Sequence, residues 1–335
     1  MNLYTASNPH PFSHYLRQLG RGKTGTRSLS REEATEAMAM ILRGDVEEIQ
    51  IGAFLLLLRV KEETPNELAG FIDAAREEIA APEIRIDLDW SSYAGKRRQP
   101  PWFLLAALAL ADNGYRVFMH GSKGHTANRC YSEDMLRALG ITICTNWRDV
   151  EQQIKEKQFA YMPLAAINPE LERLINLKPV LGLRSPVNSF ARLINPLRAP
   201  ISVQAIFHPA YAIHHQQTAQ LVGQPNACVF KGDGGEFERR LEAVTRAYYI
   251  AEGIACEQQW PRLSASKLPD EEPFNCYLMQ SIWHDNLIGH HGTQTIIATL
   301  ALLAPLFDRR CNNDEKSMTW AKHIWQQRKP QRLQR

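Results

Sequence analysis

Three consecutive cations, Lys96, Arg97 and Arg98, stand in the run YAGKRRQPPW that begins at Tyr93. The surrounding stretch, Ile86 to Gly121, reads as strand, loop, buried helix and strand. An α/β unit of this kind places a ligand where its first strand ends, and a phosphate-binding version puts glycines there so that backbone N–H groups reach the anion. Here only Gly95 is a glycine, and Pro100 and Pro101 have no N–H to donate. An anion must therefore be met by side chains. Point charges on long stems suit an extended polyanion with spaced phosphates better than one caged pyrophosphate. Tyr93 and Trp102 offer faces for unpaired bases, which favours single strands; the alternative for Trp102 is a place in the core.

Other chemistry-bearing residues have two readings each. The turn Gly232-Asp233-Gly234-Gly235 is either a set of N–H donors for an anion or a tight connection between a strand and a following helix. His120 ends the second strand, as a site residue or a satisfied structural histidine. The pairs His214-His215 and His290-His291 diverge on a helix or strand and make a poor metal site. No Walker sequence, G-x-S-x-G or H-E-x-x-H occurs. Two segments are basic and free of acids: Phe12 to Arg31, with Arg17, Arg21, Lys23, Arg27 and Arg31, and Thr319 to Arg335, with Lys322, Arg328, Lys329, Arg332 and Arg335. Such an end is either a solvated tail or a set of phosphate contacts that add if the segments converge.

The elements that must position these residues are legible in part. With 335 residues and 44% hydrophobic content the chain builds a substantial core, and its net charge of +3 is small. Six cysteines lack C-x-x-C spacing, so free thiols are expected. The apolar runs Phe103 to Ala111 and Ile296 to Phe307 are too short to span a bilayer, and MNLYTASNPH is no signal peptide, so a cytoplasmic location is expected. A capping box at Ser30-Arg31-Glu32-Glu33 opens a helix from Arg31 to Leu42, Asp45 with Glu48 opens a second, and Thr64-Pro65-Asn66-Glu67 a third. The second is apolar nearly all round, and Phe54 to Leu58 is a candidate packing surface for another copy. Later elements are expected as a helix over Glu236 to Glu252, a polar connection over Cys256 to Glu272, a helix or irregular piece over Pro273 to Gly289, and a buried helix over Thr293 to Phe307 introduced by Gly292 and Thr293.

The run SLSREEATEAMAMILRGDVEEIQIGAFLLLLRVKEETPNELAGF resembles the helical domain of anthranilate phosphoribosyltransferase and its relatives, the glycosyltransferase family 3 fold. RVFMHGSKGHTANRCYSEDMLRALGI resembles the strand, loop and helix after that enzyme's glycine-rich segment, and LGLRSPVNSFARLINPLRAP its helical return segment. The resemblance implies a small all-helical N-terminal domain plus a larger α/β domain with a mainly parallel central sheet. The expected division is 1–85 joined by 169–200, then 86–168 with 201–318, and a basic tail over 319–335.

The departures from the family pattern bear on activity. Its Gly-Thr-Gly-Gly-Asp loop for phosphoribosyl pyrophosphate is replaced by Ser92 to Gln99, and Ser122-Lys123 replaces Asn-Arg. Ile167-Asn168-Pro169 replaces Tyr-His-Pro. Arg184 and Asn188 fit the pattern, while Arg192 takes the place of a proline. The adjacent acids that hold magnesium become Glu236 and Phe237, leaving Asp233 and Glu236 as weak metal candidates. Phosphoribosyl transfer needs metal and converging donors on the departing pyrophosphate, so lost catalysis on a retained fold is expected, with no cofactor. The Ser-Tyr-x-Gly-(Lys/Arg)-rich-Gln-Pro loop resembles the YbiB branch, which implies a homodimer that binds DNA or RNA without sequence preference. The nucleic-acid-binding residues expected are Tyr93, Lys96, Arg97, Arg98, Lys123, Arg184, Arg192, Arg198, Arg328 and Lys329. The alternatives are a transferase with an altered donor site and magnesium, or a dimeric adaptor for an acidic protein. The binding expectation fails if Lys96, Arg97 and Arg98 fold away into ion pairs with neighbouring acids and no continuous positive surface lies beside them.

Overall fold

The computed structural model describes residues 5, 8–22, 24–124, 126, 128–265, 274–285, 287 and 289–334; Lys23 and Arg335 of the basic segments lie outside them. Contacts divide the chain into two units, Met1–Ala80 with Asn168–Ile194, and Ala81–Ile167 with Asn195–Arg335.

The first unit is helical. Ser30 and Thr64 cap the helices Arg31–Leu42 and Pro65–Glu78 through reciprocal bonds with Glu33 and Glu67. Between them the helix Glu48–Lys61 opens at Glu47 with Gln50, not at Asp45. The Asp45 carboxylate is 3.2 Å from Arg43 instead, and Glu47 has the extended backbone a cap needs. Gly70, inside a helix, lets two helices touch: a Cβ there would lie 2.7 Å from the Ala34 methyl. A file of rings, Phe12, Phe54, Phe71 and Phe190, runs through this unit at centroid spacings of 5.2, 6.0 and 5.6 Å and ties the returning helix Val187–Phe190 to the N-terminal ones.

The second unit is built on a seven-stranded sheet: β1 Leu88–Ser92, β2 Val117–Gly121, β3 Phe159–Pro163, β4 Ile201–Ile206, β5 Asn226–Lys231, β6 Thr245–Ala251 and β7 Ile254–Trp260. The order is β3-β2-β1-β4-β5-β6-β7, parallel through β5 and antiparallel for the last two pairs. The chain leaves β1 toward β2 and later returns to β4 on its other side, so the crevice at the C-terminal ends of β1 and β4 is a switch point. Helix Phe103–Asp112 is buried at every residue, each leucine contributing about 2 kcal/mol of apolar transfer.

Several expected elements are corrected. Glu236 to Glu252 is not a helix, and Cys256 to Trp260 is not a connection; β6 and β7 form a hairpin turned at Glu252 and Gly253, both with positive φ. Left-handed backbone at both central residues gives the two-residue turn a twist that matches its strands, and Gly253 takes that conformation without strain. Residues 266–272 of the expected connection lie outside the described residues. The late buried helix is His291–Phe307, and its cap is His290, whose Nδ1 accepts from the Gly292 N–H at 2.9 Å.

Residues 319–334 are no tail. Residues 319–326 lie in the helix Asp314–Gln326, where Trp325 is buried against Trp283, and the segment after it packs on the body, with Arg332 Nε 2.5 Å from Asp112. Of the tryptophans among the cations Trp325 is core and Trp320 is half-buried, packed on Tyr115 and Phe307. Asn195 to Pro200 also belong to the larger unit, because the Asn195 amide bonds Ala199 in both directions and reaches Gln224 at 2.8 Å. Among the described residues no helix is long and apolar enough to cross a membrane.

Candidate functional site

The loop after β1 is held by the chain's own ions. The N–H groups of Ala94 and Gly95 each donate to Glu236 Oε1 at 2.6 Å, so this carboxylate fills the place an anion would take on that backbone. Arg129 Nη1 donates to the carbonyls of Ala94, Gly95 and Gly234 at 2.8, 2.9 and 3.3 Å, tying the loop after β1 to the loop after β5. Gly95 has φ +68 and faces the Tyr131 ring, so only glycine turns the chain here without strain.

Lys96 does not reach solvent. Its ammonium lies between the carboxylates of Asp233 and Glu238 and is 1% exposed. The Glu238 Oε2 also accepts from the Phe103 N–H at 3.0 Å, at the start of the buried helix. Burial pulls the Lys96 ammonium down, but Glu238 and Asp233 outweigh it and hold it above its ordinary value. Burial pushes the Glu238 carboxyl up to about 7 against the attraction of Lys96. For Asp233 burial acts upward too, yet the ammonium wins and its carboxyl titrates below the usual range.

Other expected site residues are also absorbed into the structure. Tyr93 is 7% exposed, and its hydroxyl shares a 2.7 Å hydrogen bond with His120 Nδ1, so it is no stacking face; Trp102 is core. His120 in turn lies 3.3 Å from Asp89, a structural role. Lys123 pairs with Asp134 at 2.6 Å and Glu133 at 3.5 Å, on the acidic first turn of the helix Ser132–Ala138. Arg328 is buried, donating to the carbonyls of Trp283 and Trp325 with its guanidinium 3.9 Å from the Trp325 ring centre. Lys329 lines a cavity with Asp112 and Phe159, at the opposite end of the sheet from the β1 loop. Arg184 and Arg192 belong to the helical unit, Arg184 exposed and Arg192 buried, with Nε on the Asn188 carbonyl at 3.3 Å. Arg198 is exposed on the larger unit.

The Gly232–Gly235 turn is the tight connection. The N–H groups of Asp233, Gly235 and Glu236 donate within it, to Glu238, Gly232 and Asp233. The weak metal candidates do not converge: Asp233 faces Lys96, Glu236 faces the two amides, and Phe237 packs on Trp90 and Phe230. Among the described residues no three His, Cys, Asp or Glu side chains group as metal ligands. The Lys96 ammonium neutralises Asp233, two amides take Glu236 and a benzene ring stands at position 237, so the residues present do not fit a divalent ion.

Arg97 and Arg98 behave differently. Both are exposed and line a cavity of about 800 Å³ above the switch point, with Arg129, Lys231, Arg240 and Arg262 around it and two carboxylates, Asp233 and Glu242. Asp233 is committed to Lys96, and Glu242 lies 2.5 Å from Arg240. Arg97, Arg98, Arg129, Lys231 and Arg262 have no carboxylate partner among the described residues. A second cavity, of about 380 Å³, shares Lys231 and Arg240 with the first and adds Arg246 and Tyr248. Sequence reasoning found Arg97 and Arg98 but missed Arg129, Lys231, Arg240, Arg246 and Arg262. Only Lys231 carried a signal, as the last residue of an apolar strand in a parallel sheet.

Comparisons with known proteins agree with this fold. Residues 13–79 match the family model described as glycosyl transferase family, helical bundle domain, and 103–267 that described as glycosyl transferase family, a/b domain. The chain is 28% identical over 202 residues to the uncharacterized protein YbiB of Escherichia coli K12, covering 58% of this chain and 63% of YbiB, somewhat under two thirds of that relative. It is 28% identical over 248 residues to anthranilate phosphoribosyltransferase of Bacillus thuringiensis, covering 73% of this chain and 71% of the enzyme. The crystal structure of anthranilate phosphoribosyltransferase from Thermus thermophilus superposes with a TM-score of 0.76 at 21% identity, over 93% of this chain and 94% of that one. With the helical bundle and the a/b domain both matched, the chain belongs to the glycosyl transferase family that includes anthranilate phosphoribosyltransferase and YbiB.

Proposed function

We propose that this protein binds nucleic acid without sequence preference, as a homodimer, through the cationic cavity above the switch point, and that it transfers no phosphoribosyl group. The observation that carries the reading is the set of cations, Arg97, Arg98, Arg129 and Lys231, that have no carboxylate partner among the described residues and converge where a parallel sheet binds its ligand. Grouped like charges without counter-charges favour an anionic ligand. The second cavity lengthens the cationic surface beyond one small anion, which favours a polymer. Contacts from Arg and Lys to phosphates give affinity but no base code.

The test is a titration of labelled oligonucleotides at several salt concentrations against the native protein and an Arg97→Ala/Arg98→Ala variant. Both side chains are exposed, so the variant keeps its fold. The expected result is weaker binding to all sequences alike and a salt slope shallower by about 1 to 1.5. An unchanged slope overturns the reading. A shift in oligonucleotide affinity also separates it from recruitment of an acidic protein.

Family membership supports a second reading, a transferase with an altered donor site. Against it stand Glu236, which takes the loop amides itself, Phe237 in place of the family's second acid, and Asp233, which is committed to Lys96. Stabilisation to heat by magnesium and phosphoribosyl pyrophosphate together, with turnover, establishes the transferase; neither is expected.

A further inference from the structure

Phe207 is the one aromatic among the described residues lining the larger cationic cavity, and it is 51% exposed. It follows the last residue of β4 directly. Since β4 lies between β1 and β5 in the sheet, Phe207 stands between the loop that carries Arg97 and Arg98 and the strand end that carries Lys231. Gly235, at φ +92, lies close beneath it: a Cβ there would come within 3.6 Å of the Phe207 Cβ. The His208 ring stands at 77° to the phenyl ring, 5.0 Å away, so it braces Phe207 edge to face without a stacked partner covering it. An exposed phenylalanine in isolation means little. One set among cations that have no carboxylate partner among the described residues has a specific use, because a nucleic-acid strand alternates anionic phosphate with flat base.

We infer that Phe207 is the platform on which an unpaired base stacks, while the flanking phosphates meet Arg97 and Arg98 on one side and Lys231 on the other. The ligand class is then single-stranded nucleic acid, since a paired base in a duplex has both faces occupied by its neighbours. This rests on the nucleic-acid reading above and adds to it the group that selects unpaired strands. Every base has a π-face, so the contact adds affinity without sequence preference.

The experiment compares an oligothymidylate, an abasic oligomer of the same length and a duplex, by fluorescence anisotropy at one moderate salt concentration. The proteins are the native chain, Phe207→Ala, Phe207→Trp and Arg97→Ala/Arg98→Ala, each checked by thermal melting. Phe207→Ala is expected to weaken oligothymidylate binding about 5- to 100-fold. It should leave the abasic oligomer and the duplex within about twofold, and Phe207→Trp should restore the oligothymidylate affinity. The arginine variant should weaken all three probes. If Phe207→Ala weakens the abasic oligomer as much as the oligothymidylate, or neither, the platform is wrong while the cationic binding reading stands. If the native protein binds none of the probes, or the arginine variant binds all as well as the native chain, both readings fall.

Discussion

Lys96 and Arg97 are neighbours in sequence with opposite fates, and the difference comes from one residue far along the chain. Glu238 supplies a buried carboxylate that takes the lysine inward and fixes the loop on which Arg97 and Arg98 project. Its carboxyl, pushed up to about 7 by burial, makes a pH signature. An unfolded glutamate titrates near 4.5, so between that pH and about 7 the folded chain holds a proton the unfolded chain has lost, and stability falls as pH rises through this window. Glu238→Gln removes this slope. The stability of the variant minus that of the native protein is expected to grow by up to about 3 kcal/mol across the window, read from urea midpoints. His291, pulled down to about 4 by its burial, titrates in both proteins and cancels in the difference. Parallel pH profiles would show that Glu238 is ionised throughout.

At the scale of elements, the C-terminal helix is structural where its composition suggests a binding arm. Arg328 is held by two main-chain carbonyls at 2.8 and 2.7 Å and by the faces of Trp283 and Trp325, and burial pulls its guanidinium down from its ordinary value. Arg328→Met is expected to lower unfolding stability by about 2 to 4 kcal/mol, because it strips those carbonyls of a charged donor. Its oligonucleotide affinity should stay within about twofold of native. A large loss of affinity in a variant that still melts natively would return the C-terminal segment to the binding surface. The β6–β7 hairpin makes the complementary point. Its Glu252-Gly253 turn and alternating residues were available in the sequence, and they outweigh the helical appearance of the preceding charged run.

For the whole molecule, the proposed homodimer needs a surface on which a second copy packs. Phe54, Leu55 and Leu58 face the interior of the helical unit and are not available for packing outside it. The opposite stripe of the helix Glu48–Lys61 is Ile49, Ala53, Leu56 and Val60, at helical spacing, with Ile49 83% and Val60 84% exposed. A Cβ on Gly52 of the same helix would lie 3.9 Å from Leu181, and Val180 and Leu183 beside it are exposed, so the apolar surface continues onto the returning segment. A patch of this kind suits a self-complementary twofold contact better than water. On the proposed homodimer, Ile49→Glu/Val60→Glu is expected to turn a native dimer into a monomer by light scattering, with short-oligonucleotide affinity unchanged and long-strand avidity lost, and a native protein that already scatters as a monomer overturns the dimer. A double variant that remains dimeric places the interface elsewhere.

Features decided by neighbouring residues were legible without coordinates. The caps at Ser30 and Thr64, the strand-loop-helix unit around the β1 loop and its cluster of cations all depend on side chains within a few positions of one another. Which cation faces outward did not, because the carboxylates that bury Lys96 lie at 233 and 238, and folding alone brings them to it. The same holds for the cavity wall: Arg129 follows β2, Lys231 ends β5 and Arg262 follows β7, and they meet only because those three strands finish at the same end of the sheet. Local backbone preference acts over a few residues and is written in the chain, whereas charge neutralisation acts through space and belongs to the folded molecule.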